Sequence, residues 1–208
     1  IGKFLKKYPN VIFHSDITQA LGKVSVSFDN LDLASFSLHK IFGFKGIGGL
    51  VIKKNIRLVP LIHGGKAVSI YRSGTPQTGL IASSVAIYEA LCGLDEKYKY
   101  VKELNDYLRD EIKSIVLINS GDNCIPHILN FSIKGKNSED TLKYFSDNDI
   151  YISSKTACSS GSYSIVINEL YGDINRAETS VRVSISCETT YEELDIFINK
   201  LKEWVECK

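Results

Sequence analysis

Two nucleophilic side chains stand out by the company they keep. Lys40 closes the run Leu31-Asp-Leu-Ala-Ser-Phe-Ser-Leu-His-Lys40, which Leu31, Leu33, Phe36 and Leu38, with Ile41 just beyond, make mostly apolar. Such a run reads as a buried strand leading into a glycine-punctuated turn, Gly43-Phe-Lys-Gly46, and a second strand, Gly49-Leu-Val-Ile-Lys53. Desolvating an ammonium without a partner is costly, and burial lowers a lysine pKa until the neutral amine can attack a carbonyl and form a Schiff base. The plainer reading is that Lys40 leaves the sheet and snorkels into water. Cys158 lies in Ser153-Ser-Lys-Thr-Ala-Cys-Ser-Ser-Gly-Ser-Tyr-Ser164, a stretch of small polar residues that cannot build a core. A thiol in such a loop is reachable, and neighbouring hydroxyl and backbone N–H groups support a thiolate. An incidental surface cysteine would look the same.

Asp16 and Gln19 form a third feature. They sit three apart where the strand Val11-Ile-Phe-His-Ser-Asp16 gives way to a helical turn, Ile17-Thr-Gln-Ala-Leu21. Both can therefore face one crevice at the carboxyl edge of a sheet, where open α/β sheets bind ligands. A carboxylate there can hold the protonated ring nitrogen of pyridoxal phosphate (PLP) and make the ring an electron sink. Asp16 also fits a simple helix-capping role.

The elements around these residues fall into two groups. Strands expected at 11–15, 33–38 and 49–53, separated by connections, favour a parallel α/β sheet. Phe4, Leu5 and Tyr8 suggest the tail of a helix. Loops follow at Leu58–Gly65 and Tyr71–Pro76, then one helix over Thr78–Leu94 and an amphipathic one over Tyr98–Ile115. Beyond a boundary near 94–118, a strand at His127–Ile133, a helix at Ser138–Asn148 capped by Ser138, a short strand at Ile150–Ile152, a strand at Val181–Ile185 and a helix from Thr190 to about Val205 describe an α+β unit. Thr190 and Glu193 have capping-box spacing.

Bulk properties exclude several classes. The chain has 208 residues, 44% of them hydrophobic and 24% charged, which is ordinary for a folded globular protein. A formal net charge of +1 provides no field to attract nucleic acid or an acidic membrane. No apolar run approaches a membrane span and no secretory leader is visible. Five cysteines, odd in number and without CxxC spacing, fit reduced thiols in a cytoplasmic protein better than disulfides or a metal site. The chain lacks methionine and begins with Ile1, and three strands make a poor free-standing sheet, so further sequence is expected upstream.

Taken together the motifs resemble the cysteine desulfurases, in the class V aminotransferase group of type I PLP enzymes. The resemblance rests on His14-Ser-Asp-Ile-Thr-Gln19, Ser37-Leu-His-Lys40, Gly43-Phe-Lys-Gly46, Pro60-Leu-Ile-His-Gly-Gly65, Arg72-Ser-Gly-Thr75, Asn130-Phe-Ser132, Ser153–Gly161 and Val181-Arg-Val-Ser184, in the expected order. It implies the end of a PLP-binding large domain over 1–94 and an α+β small domain carrying the cysteine loop over 95–208. It implies that Lys40 holds the cofactor and later moves the substrate's α-proton, that Asp16 pairs with the ring nitrogen, and that Gln19 bonds the phenolic oxygen. Ser37 and His39, two apart on a strand, would contact the phosphate, and Thr75 that of a neighbouring subunit, which makes a homodimer. Arg182 would anchor the carboxylate of L-cysteine. Cys158 would take its sulfur, leaving alanine and a persulfide destined for an acceptor protein in iron–sulfur cluster or thio-modification pathways. The sequence departs from the family after His-Gly-Gly, where Lys66-Ala-Val replaces a Gly-Gln-Glu type sequence. The phosphate-cradling loop and ring-stacking residue of type I enzymes would precede this stretch altogether. Selenocysteine lyase or aminotransferase activity, or an inactive fragment or binding module, are the competing readings.

Overall fold

The computed structural model describes residues 1–65, 69–154 and 163–207. The chain divides into two compact units, Ile1–Asp95 and Glu96–Lys208.

The first unit opens with a short helix, α1 (Gly2–Leu5), followed by a three-stranded sheet. Strands β1 (His14–Asp16) and β2 (Leu33–Ser37) run parallel, with Asp16 opposite Ser35. Strand β3 (Gly48–Ile52) pairs with β2 antiparallel, with Gly49 opposite Phe36. The sheet is thus mixed, not parallel as the strand spacing suggested. The link from Ser37 to Gly48 is too short for a crossover, which takes a dozen or more residues, so the chain folds back. Glycine at 49 is required by contact: a Cβ there would lie 2.2 Å from the Phe36 ring. Ile17, Leu21, Ala34, Leu38, Ile41 and Ala90 form the buried cluster behind the strand ends.

Thr78–Leu94 is not one helix. It breaks into α2 (Thr78–Ala82) and α3 (Val85–Leu91), because Ser83 Oγ donates to the Leu80 carbonyl at 2.7 Å and the backbone tightens there into three-residue turns.

The second unit builds on α4 (Leu94–Ile112), whose Val101, Leu104, Leu108 and Ile112 recur at helical spacing and are fully buried. An antiparallel sheet follows in the order β4 (Leu117–Ile118), β5 (Ile128–Ser132), β6 (Ser180–Ser184). Leu129 and Phe131 of β5 and Val181 and Val183 of β6 alternate into the core. Helix α5 (Ser138–Ser146) is capped by Asn137, one residue before the expected Ser138: Asn137 Oδ1 accepts from Glu139 N at 2.7 Å. Helices α6 (Ile165–Tyr171) and α7 (Ile174–Glu178) precede β6, and α8 (Tyr191–Glu206) closes the unit behind the Thr190–Glu193 capping box, whose two bonds are both present. The short strand expected at Ile150–Ile152 does not form. Asp149 turns the chain with φ 59°, and only Ser153 pairs, with Arg182, as an isolated bridge.

Candidate active site

The carboxyl ends of β1 and β2 bring together most of the residues singled out in the first unit. Asp16 ends β1 and its Oδ1 accepts from Thr18 N at 2.8 Å. No helix follows Asp16, so this bond closes an Asx turn and does not cap a helix; a carboxylate has about four lone-pair sites, which leaves capacity for another partner. Thr18 Oγ1 in turn accepts from Ser37 N at 3.1 Å, tying the turn after β1 to the end of β2. The Thr18 hydroxyl, then its backbone N–H, holds the Asp16 carboxyl below the ordinary carboxylate value, and His14 adds to the effect. His14 Nε2 and Ser35 Oγ are hydrogen-bonded at 2.9 Å across the parallel pair.

Strand β2 stops at Ser37, and Leu38–Lys40 forms a single 3-10 turn with only Leu38 buried. Two expectations change as a result. His39 no longer shares a strand face with Ser37, because the two-residue alternation ends with the strand. Lys40 is exposed in this chain, so burial does not desolvate its amine here. The buried Leu38 and Ile41 on either side fix the turn instead and leave Lys40 at the sheet edge.

Two residues at this edge escaped the sequence reading. Thr18 joins Asp16 to Ser37; its signal was the Asp-x-Thr spacing at a turn. Lys23, four residues after Gln19, donates to Gln19 Oε1. Burial, followed by the charge of Lys40, pushes the Lys23 amine below the ordinary lysine range, which places the two ammonium groups within electrostatic reach.

The remaining candidates lie elsewhere along the chain. Thr75 is exposed in the segment before α2. Arg182 sits on β6 in the second unit, paired with Asn130 and bridged to Ser153, and its Nε is buried without a hydrogen-bond partner. A buried guanidinium N–H left unpaired is costly unless a ligand completes it. Cys158, and the departure at Lys66–Val68, lie outside the described residues. Among the described residues no cluster of His, Cys, Asp and Glu could hold a metal ion, and no helix is long and apolar enough to cross a membrane.

The donor set at the sheet edge fits PLP. It includes the kinds of group that cofactor needs: an amine, a carboxylate held ionised, a carboxamide, and hydroxyl and imidazole groups.

Comparison with known proteins agrees with this chemistry. The profile of the aminotransferase class-V family matches residues 1–197. A protein named cysteine desulfurase IscS from Dictyoglomus turgidum is 33% identical over 99% of this chain and 54% of its own length. One of the same name from Buchnera aphidicola is 36% identical over 93% of this chain and 50% of its own length. A solved structure described as a NifS-like protein superposes with a TM-score of 0.86 at 29% identity, covering 97% of this chain and 54% of that one. The chain thus spans about half the length of the curated relatives it matches. With the type I PLP-enzyme fold and a family profile covering nearly its whole length, the chain belongs to the class V aminotransferase family.

Proposed function

We propose that this chain supplies the C-terminal half of a PLP-dependent cysteine desulfurase, with residues 1–94 completing the cofactor domain and 95–208 forming the small domain. The carrying observation is the linked edge of the first sheet, where Thr18 ties ionised Asp16 to Ser37 beside Lys40 and the Gln19–Lys23 pair. When bound, PLP offers an electron sink for the bonds broken at the substrate's Cα. Asp16 keeps the ring nitrogen protonated, Gln19 donates to the phenolic oxygen, and Ser37, His39 and a partner subunit's Thr75 contact the phosphate in a homodimer. Lys40 holds the cofactor covalently and moves the α-proton of L-cysteine. Arg182 receives the substrate carboxylate, a role supported by its unpartnered buried Nε. The Cys158 thiolate would attack the substrate sulfur: an S–S bond forms, the Cβ–S bond breaks with its electron pair left on the carbon side, and alanine leaves once Cβ has gained a proton and Cα has regained its own. The persulfide on Cys158 then passes to an acceptor protein in iron–sulfur cluster or thio-modification pathways. A reducing cytoplasm suits this chemistry, and Cys92, Cys124, Cys187 and Cys207 are all free thiols.

The test is to incubate the full-length enzyme with L-cysteine and measure alanine together with sulfur transferred to an acceptor. Cys158→Ser should reduce transfer by about a hundredfold or more. Transfer at the wild-type rate would remove Cys158 from the mechanism.

A further inference from the structure

Lys23 occupies an unusual place. Residues 17–24 wind through consecutive turns, with Leu21 N bonded to Ile17 O at 2.9 Å and Val24 N to Ala20 O at 3.0 Å, so Gln19 and Lys23 rise on the same side. Gly22, at φ 72°, lets this turn press against the segment holding Lys40: a Cβ at 22 would lie 3.0 Å from Ile41 Cγ2 and 2.9 Å from Ala90 Cβ. Lys23 is thereby half-buried, bonded to the neutral Gln19 amide and within the field of like-charged Lys40. Solvation and charge both disfavour that position, so the Gln19 bond is what the placement secures. Of the other titratable groups at this edge, His14 acts on Asp16.

The chemistry of the bond fixes the amide. An ammonium has donors and no acceptor, so the Gln19 atom facing it must be oxygen, and the NH2 group is left to donate elsewhere. The reverse orientation would turn an acceptor toward the phenolic oxygen of PLP, which is itself an acceptor when ionised. We propose that Lys23 is a positioning residue that acts through Gln19, holding the carboxamide so that its NH2 group is the donor offered to the cofactor's ring oxygen. This rests on the PLP reading of the site.

The test compares full-length, PLP-loaded wild type with Lys23→Met, Lys23→Arg, Gln19→Ala and the Lys23→Met/Gln19→Ala double variant, following the visible absorbance of bound PLP as pH is scanned. Loss of the donor to the ring oxygen destabilises its anionic form, so the chromophore keeps its proton to higher pH. Lys23→Met should raise the midpoint by about one unit. Lys23→Arg, which keeps a donor, should restore the wild-type midpoint. In the Gln19→Ala background, Lys23→Met should add no further shift. An unmoved midpoint in Lys23→Met, or a shift of equal size without Gln19, would overturn the inference while leaving the cofactor assignment intact. A wild-type protein without PLP absorbance would overturn both.

Discussion

The two units bury their apolar side chains very differently. In Glu96–Lys208 the longer helices and the sheet share one core: Leu104 and Leu108 from α4, Phe131 from β5, Phe145 from α5, Val181 from β6 and Leu201 from α8, with Phe145 stacked on Phe197 at 5.0 Å between ring centroids. In Ile1–Asp95 the buried cluster is small, and large apolar side chains stand in the open, Leu61 at 94% exposure, Val59 at 83% and Tyr88 at 72%. The titratable groups Asp16, Lys23 and Lys40 belong to this first, sparsely packed unit. Within this stretch of chain, the second unit is held by its core and the first by a hydrogen-bonded strand edge.

That contrast can be broken by substitution. The largest effect should come from Phe145→Ala, which removes a fully buried ring and should cost about 3–5 kcal/mol of unfolding free energy. The single tryptophan, Trp204, lies in the same unit and stacks on Tyr144 at 4.6 Å, so its fluorescence in a urea titration reports this unit's unfolding. A loss below about 1 kcal/mol would mean that the core relaxes around the cavity and is not the tightly packed body described above.

A smaller and different response is expected at the strand edge. Thr18→Val deletes the hydroxyl that bonds Asp16 and accepts from Ser37 N. The Trp204 transition should stay where it is, while PLP retention by the full-length enzyme falls by roughly tenfold, the equivalent of one hydrogen bond. The sign of the accompanying pH effect follows from the depressed Asp16 pKa. Whatever this carboxylate contributes is fully present above its ordinary value of 3.8 and is lost only as pH falls through the lower folded value. Thr18→Val should move that loss to higher pH, visible in a carbon NMR titration of the Asp16 carboxyl. An unchanged titration would show that the backbone N–H of Thr18 suffices.

The same contrast explains what could be read before any coordinates. Elements whose residues repeat with a clear period, α4, β5, β6 and the capped α8, were visible because one buried face dictates the repeat. Helices α6 and α7 and the two-residue β4 are too short for a period to register, and the break at Ser83 depends on a single side-chain bond. Lys40, Asp16 and Ser37 were legible as a motif; the 3-10 turn that moves His39 off the strand face, and the exposure of Lys40, were not. Both follow from where β2 stops pairing with β3, which is a property of the sheet and not of the segment. Lys23 was passed over because four-residue spacing to a glutamine is common on any helical turn, and its meaning comes from the nearness of Lys40.

The proposed function requires that Lys40, and no other amine at this edge, carries the cofactor. Reducing the PLP-loaded full-length enzyme with borohydride, digesting it and locating the pyridoxyl mass by peptide sequencing tests this directly. One modified residue is expected, Lys40. Modification at Lys23 or Lys45 in its place, or no stable pyridoxyl adduct, would contradict it.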